Sequence, residues 1–260
     1  LQSKIKEWVG AVAKAAALAA FWGLIPTPAA HAAEPKTKQW VLKLSTVPFQ
    51  AKFQLTVDDG KNADRSSGTL YLRPDGMLCV AVEKPLRQIL AFGRQELNIY
   101  YPDDHLVLRA KPNAGQLPPM IDALFLGYVD PSAILPPTSK ILEQTRDDVA
   151  RTLTTKWSLV GPDGKAHGQL RAIESREGTD QMDLLTDDNQ LIGRYTFANR
   201  IAVGRANIPS LIEVLHRKPG AHDRVDTWAL DAVALEPDTD PAGIACSVFP
   251  KDVPVKDLAL

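Results

Sequence analysis

The 260 residues are 45% hydrophobic and 23% charged, with a formal net charge of −1. That balance excludes a disordered chain, and without a basic run or basic helical face it argues against nucleic acid as a partner. The two cysteines, Cys79 and Cys246, stand in no CxxC spacing, which excludes a redox or zinc motif; in an oxidising compartment they can pair, but two cysteines define no framework.

The N-terminus has the three parts of an export signal. Lys4, Lys6 and Lys14 outnumber Glu7, the apolar run AAALAAFWGLI follows over residues 15–25, and Pro26 and Pro28 break any helix. Ala30-His31-Ala32 is a small-x-small cleavage pattern. The run is shorter than the about 20 apolar residues a membrane span needs. Residues 1–32 are therefore expected to be a cleaved signal peptide, with the mature chain beginning at Ala33 in the periplasm and a net charge of about −3. No lipobox cysteine precedes that start, so a soluble product is expected.

Residues 33–260 are expected to form one domain, since no flexible Gly/Ser linker divides them. QWVLKLSTV predicts a short amphipathic helix stopped by Pro48. FQAKFQLTV alternates, with Phe49, Ala51, Phe53, Leu55 and Val57 on one face, and predicts a half-buried strand. DDGKNADRSSG reads as a turn or loop, and about four more strands are predicted before Lys111. Residues 112–150 are proline-punctuated, with helix-like spacing in IDALFLGYV and in KILEQTRDDVARTL, which Ser139 is placed to cap. Strands resume in KWSLV, GQLRAIES, QMDLLTD, RYTFANRIAVG and RVDTWALDAVAL, with GPDG and DDNQ as hairpin turns and IPSLIEVLHR as one helical interruption. No βαβ alternation occurs, so the fold expected is mainly β with helices (α+β): a single curved antiparallel sheet covered by helices.

Catalytic motifs are absent. His105, His167, His216 and His222 fall in turn or helix-end contexts without HExxH or i, i+4 spacing, and are expected to be solvated. There is no GxSxG; Ser66-Ser67-Gly68 reads as loop. Asp58-Asp59, Asp103-Asp104 and Asp187-Asp188 each sit beside Gly, Pro or Asn, and read as turn formers rather than an acid–base pair. No GxGxxG or P-loop is present. No catalytic residue, metal ligand set or cofactor is assigned.

The apolar sheet is then the candidate functional element, its concave side either filled by side chains or open as a ligand cavity with a few placed polar groups. Arg73 draws notice because it follows Leu70, Tyr71 and Leu72 at a strand end. LKLSTVPFQAKFQLTVDDG, then GTLYLRPDGM, then EKPLRQILAFGRQELNIYYPDD resembles the periplasmic outer-membrane lipoprotein carrier family (LolA-like). The matching positions are Phe49 and Phe53, Gly68, Leu70, Arg73 and Pro74, Pro85, Gly93, Tyr100 and Pro102. The family's Gln position falls on Leu55, with Gln54 one place early, and Met77 and Cys79 stand where it tends to place aromatics.

The resemblance implies an unclosed β-barrel with lid helices, residues 112–150 supplying a lid insert, over an apolar cavity for lipoprotein acyl chains. It also implies an inner-membrane ABC transporter as donor and an outer-membrane receptor as acceptor, with no enzymatic step and a monomeric carrier. Arg73 matches an arginine tied to lid closure. The residues expected to line the cavity are Phe49, Phe53, Leu55, Leu70, Leu72, Ile89, Leu97, Ile99, Leu124, Phe125, Phe197, Trp228 and Leu230. Two other readings stand beside the carrier: a lipid- or lipoprotein-sensing regulator on the same fold, and a periplasmic hydrolase, which a buried carboxylate or histidine with a shifted pKa would favour.

Overall fold

The alternating segments are strands, and so are two segments with helix-like spacing. The computed structural model describes residues 49–72, 78–92, 97–110, 135, 138–160, 164–203, 206–217, 220, 222–235 and 252–258. These hold β1 (Phe49–Asp58), β2 (Ala63–Leu72), β3 (Leu78–Lys84), β4 (Gln88–Phe92), β5 (Leu97–Tyr101), β6 (Leu106–Ala110) and β7 (Lys140–Asp147). They continue with β8 (Thr152–Val160), β9 (Ala166–Ser175), β10 (Gly178–Leu185), β11 (Leu191–Val203), β12 (Ala206–His216), β13 (Arg224–Leu235) and β14 (Val255–Leu258). No helix occurs among the described residues. The expected signal peptide, the first helix and IDALFLGYV lie outside them.

All fourteen strands belong to one curved, unclosed sheet in the order β14-β6-β5-β4-β3-β2-β1-β13-β12-β11-β10-β9-β8-β7. The first six strands meander outward from β1, and β7 to β13 meander back to pair with β1 on its other side. β1 is thus the seam between the two halves of the chain. Every pairing is antiparallel except that β14 lies parallel to β6, a departure from the all-antiparallel expectation. Parallel pairing demands a long connection, and β6 and β14 stand far apart in the chain, the one ending at Ala110 and the other beginning at Val255.

Acidic turn residues explain the hairpins. Asp58 Oδ1 accepts from Gly60 N at 2.8 Å, and Asp59 Oδ1 accepts from Lys61 N at 2.9 Å and Asn62 N at 2.8 Å. The carboxylates replace missing ladder partners in a turn of four residues, 59–62. The turn is shorter than expected: Ala63 to Ser67, read as loop, already belongs to β2. In DDNQ, Asn189 takes a left-handed φ of 62° and its N donates to Thr186 O at 3.0 Å. Asp103 and Asp104 lie in the turn between β5 and β6, where His105 N donates to Pro102 O at 3.4 Å.

Both helical readings within the described residues are corrected. KILEQTRD is the exposed edge strand β7. Asp147 Oδ1 accepts from Val149 N and Ala150 N at 2.9 and 2.8 Å, and Arg151 takes φ 55°, so the chain reverses where a helix would have continued. IPSLIEVLH is the inner strand β12, in which Ile208, Ile212 and Val214 follow the two-residue period of one sheet face. Pro209 is tolerated because that part of β12 pairs with β11, while its ladder to β13 begins at Leu211.

The sheet buries its two faces unequally. One cluster runs through every strand except the edges β7 and β14, including Ala51, Leu70, Val80, Ile99, Met182 and Ile212. A small second cluster of Tyr71, Cys79 and Ala91 lies on the opposite face of β2–β4. Cys79 is disulfide-bonded and wholly buried there, and Cys246 is the only other cysteine.

Candidate functional site

The inner face is organised in rows that cross the seam. Cα register aligns Val82, Gly68, Phe53 and Leu230 in one row. It aligns Ser66, Leu55, Trp228, Ile212 and Phe197 in the next. Opposed residues share a face, so these rows make a continuous apolar surface from the first half of the chain to the second. Gly68 is required by close approach: a Cβ there would meet Ala81 O at 1.9 Å.

Of the expected lining residues, Phe53, Leu70, Leu97, Ile99, Phe197 and Leu230 are buried in this one cluster, with Leu55 and Trp228 packed on it half-buried. Ile89 is corrected: it packs with Tyr71, Cys79 and Ala91 on the opposite face, because Gln88 and Leu90 take the inward positions of β4. For Phe49 and Leu72 the structure gives backbone pairing with one another. Arg73, Leu124 and Phe125 lie outside the described residues.

Beyond the apolar rows the same face turns polar. The next row contains Val57, Asp226, Val214, Tyr195 and Met182, and the following one Arg224, His216, Gly193 and Leu184. Asp226 Oδ1 accepts from Arg224 Nε at 2.6 Å, its Oδ2 accepts from Arg224 Nη2 at 2.9 Å, and His216 Nε2 lies 3.1 Å from Oδ2. Burial pushes the Asp226 carboxyl up, but hydrogen bonds from His216 and Arg224 and their charges outweigh it and hold it below the usual range. Burial, with the Asp226 charge adding to it, pushes the neighbouring Tyr195 phenol up to about 12. The phenol therefore stays protonated and the carboxylate stays ionised at neutral pH. His216, expected to be solvated, is instead partnered and largely buried. Reading β12 as a helix removed it from the face that Asp226, Trp228 and Leu230 share.

Gln88 is a second polar group on this face. It is 1% exposed, stands opposite Val82, and its Nε2 has no hydrogen-bond partner among the described residues. A buried unmet donor costs about 1–3 kcal/mol.

The outer face carries a separate ionic centre. Asp183 on β10 is 0% exposed and accepts from Arg171 Nε at 3.0 Å, Arg194 Nε at 2.7 Å and Gln181 Nε2 at 3.0 Å. Burial raises its carboxyl, and the two guanidinium groups more than reverse that. Among the described residues no three His, Cys, Asp or Glu side chains are placed to hold a metal ion.

Where β3 leaves β2, the sheet opens into a cleft of about 800 Å³. β2 pairs with β1 out to Ala63, but its ladder to β3 ends at Ser67 opposite Lys84. The cleft is lined by Arg65, Ser66 and Ser67 of β2, Leu55 and its neighbours on β1, and Lys84 and Pro85.

No protein-family model and no curated protein sequence matches the chain. Among solved structures it is similar to a DUF1329 family protein from Desulfovibrio piger, with a TM-score of 0.52 at 10% identity over 77% of this chain and 91% of that one. A LolA superfamily protein from Nitrosomonas europaea aligns with a TM-score of 0.49 at 12% identity, covering 77% of this chain and 94% of that one. A domain named for outer membrane lipoprotein sorting, from Vibrio parahaemolyticus, aligns with a TM-score of 0.49 at 10% identity, covering 75% and 87%. At these identities the likeness is one of fold.

Proposed function

We propose that this chain is a periplasmic carrier that shelters acyl chains against the apolar inner face of its unclosed sheet and delivers them toward the outer membrane. The observation that supports this most is the continuity of that face across the seam at β1, from Ile99 and Leu90 on one side to Phe197 and Met182 on the other. A sheet that remains unclosed has a side from which an elongated apolar ligand can enter; a filled, closed barrel has none. Lipoprotein acyl chains are the cargo the sequence resemblance implies. At about 0.8 kcal/mol for each CH₂, two or three such chains cannot travel through water uncovered. A carrier has to hide most of that surface and still release it, so no covalent step is required. An inner-membrane transporter as donor and an outer-membrane receptor as acceptor complete this reading.

The experiment is mass spectrometry of material extracted from the native protein, alongside binding of a fluorescent fatty acid to wild type and Leu55→Glu. Leu55 is half-buried at the margin of the apolar cluster, so the variant is expected to fold and to lose the probe. Extracts free of lipid and lipoprotein, together with unchanged probe binding by Leu55→Glu, would overturn the carrier.

A further inference from the structure

The Asp226 cluster on the inner face satisfies itself, since Arg224 and His216 hold the carboxylate. Buried Thr155, on the same face of β8, accepts from Gln144 Nε2 at 3.2 Å. Among the described residues, buried side-chain atoms without a partner occur on Ser139, Gln169, Arg200 and Gln88. Gln169 and Arg200 are anchored through another atom: Gln169 Nε2 donates to Asp187 O at 3.1 Å, and Arg200 Nη2 to Thr179 O at 2.7 Å. Gln88 is the case that the fold leaves unexplained.

Gln88 begins β4 and opens an apolar lane. It stands opposite Val82 of β3. Two residues on, Leu90 stands between Val80 of β3 and Ile99 of β5, and Leu78 and Leu97 hold the next row. Val82, Leu90, Val80, Ile99, Leu78 and Leu97 all belong to the inner-face cluster. An amide donor at 1% exposure is thus placed at one end of a hydrocarbon surface, where an apolar side chain of the same size would cost nothing. A buried polar group that breaks the local rule in this way marks a position kept for function. The group that matches it has an acceptor oxygen, no proton of its own to donate, and a hydrocarbon chain leading away. An acyl carbonyl has all three properties.

We infer that Gln88 Nε2 donates to the carbonyl oxygen of an ester- or amide-linked acyl chain, whose hydrocarbon then lies along Leu90, Val80 and Ile99. The contact rests on the carrier reading and adds to it the place where the polar end of one chain is held. Donor and acceptor are both uncharged, so the contact gives selectivity for acyl over alkyl chains while the apolar lane gives most of the affinity.

The test compares a fluorescent phospholipid carrying ester-linked chains with its ether-linked counterpart, on wild type and on Gln88→Met. Methionine fills similar space and donates nothing, so the variant is expected to melt no lower than wild type. Wild type should bind the ester about tenfold more tightly than the ether, since an ether oxygen is the weaker acceptor. Gln88→Met should bind the two alike, with ether affinity unchanged. A merely structural amide predicts the opposite, a lower melting temperature with the ester preference intact, and that result overturns the contact. Equal binding of ester and ether by wild type overturns it as well and leaves the carrier standing. Unlabelled competitors separate the two sources of such a carbonyl. A triacylated lipopeptide, with one chain more to lay on the face, should displace the probe at lower concentration than a diacyl phospholipid. The reverse order would overturn lipoprotein as the source. A wild type that binds neither probe overturns the carrier reading and this contact with it.

Discussion

Phe53 and Trp228 meet ring to ring across the seam, with centroids 5.3 Å apart and planes tilted by 50°. They sit on β1 and β13, one row apart on the inner face, so this contact joins the first meander of the chain to the second. Tilted aromatic pairs contribute about 0.5–1.5 kcal/mol beyond their buried area. Phe53 is 3% exposed, and removing its ring leaves a cavity at the junction. Phe53→Ala is expected to destabilise the protein by about 3–5 kcal/mol, read by urea denaturation. A loss below about 1 kcal/mol would mean that the seam is loosely packed at this row.

Gly68 carries a second prediction. The β2 backbone passes so near β3 that an added methyl would meet the Ala81 carbonyl at 1.9 Å, and the register shifts between Ser67 and Gly68. The obstacle is backbone and cannot swing aside. Gly68→Ala is expected to cost about 1–3 kcal/mol and to widen the β2–β3 ladder. Amide exchange at Val82 and its neighbours should accelerate more than exchange at Phe197.

The same glycine shows what could be read in the sequence. Alternation in FQAKFQLTV gave the face of β1 correctly, and the acidic doublets gave the turns, because both signals are local. The resemblance over residues 40–110 placed Gly68 in a motif, and only the register explains why it must be glycine. Two strands were misread for the same reason. KILEQTRD and IPSLIEVLH have apolar spacing compatible with either period, and what decides them is pairing to β8, β11 and β13. With β12 taken as a helix, the His216–Asp226–Arg224 cluster could not be seen, although the parity of Asp226 with Trp228 and Leu230 was already there. Gln88 is hidden for a like reason: taking Ile89 as inward turns Gln88 outward, and only its pairing opposite Val82 decides between them.

Acid should weaken the protein through two carboxylates. Asp183 has a folded-state pKa lowered by Arg194 and Arg171, and Asp226 one lowered by His216 and Arg224, so each contributes stability above its unfolded value, about 3.9, and loses it as pH falls through the lower folded value. Stability should therefore be level near neutrality and decline below about pH 4. Arg171 and Arg194 are 39% and 36% exposed, so solvent recovers part of what each loses when Asp183 is replaced. Asp183→Asn is expected to cost about 1–3 kcal/mol at pH 7. The gap between variant and wild type should narrow in acid; a gap that stays constant down to pH values below about 3 would show that the Asp183 charge is not what stabilises.

Arg73 follows directly on Leu72, the last residue of β2, and in the carrier reading it is the latch. A guanidinium has five N–H donors, enough to hold several carbonyls of a covering segment at once. Hydrogen bonds from a charged donor are worth about 1.5–3 kcal/mol, which is small enough for an incoming acyl chain to displace and large enough for re-closure to help expel it. An ordinary solvated arginine at a strand end would instead change stability by no more than about 0.5 kcal/mol and leave cargo handling unaltered. Arg73→Leu separates the two roles, since leucine fills similar space and donates nothing. The variant should fold, accept lipoprotein normally, and release it poorly, because the empty closed state has lost its donor while the mouth has become more apolar. The measurement is transfer of lipoprotein from loaded carrier to a purified outer-membrane receptor. Slower transfer by Arg73→Leu with unchanged loading supports the latch, and equal rates would return Arg73 to the surface.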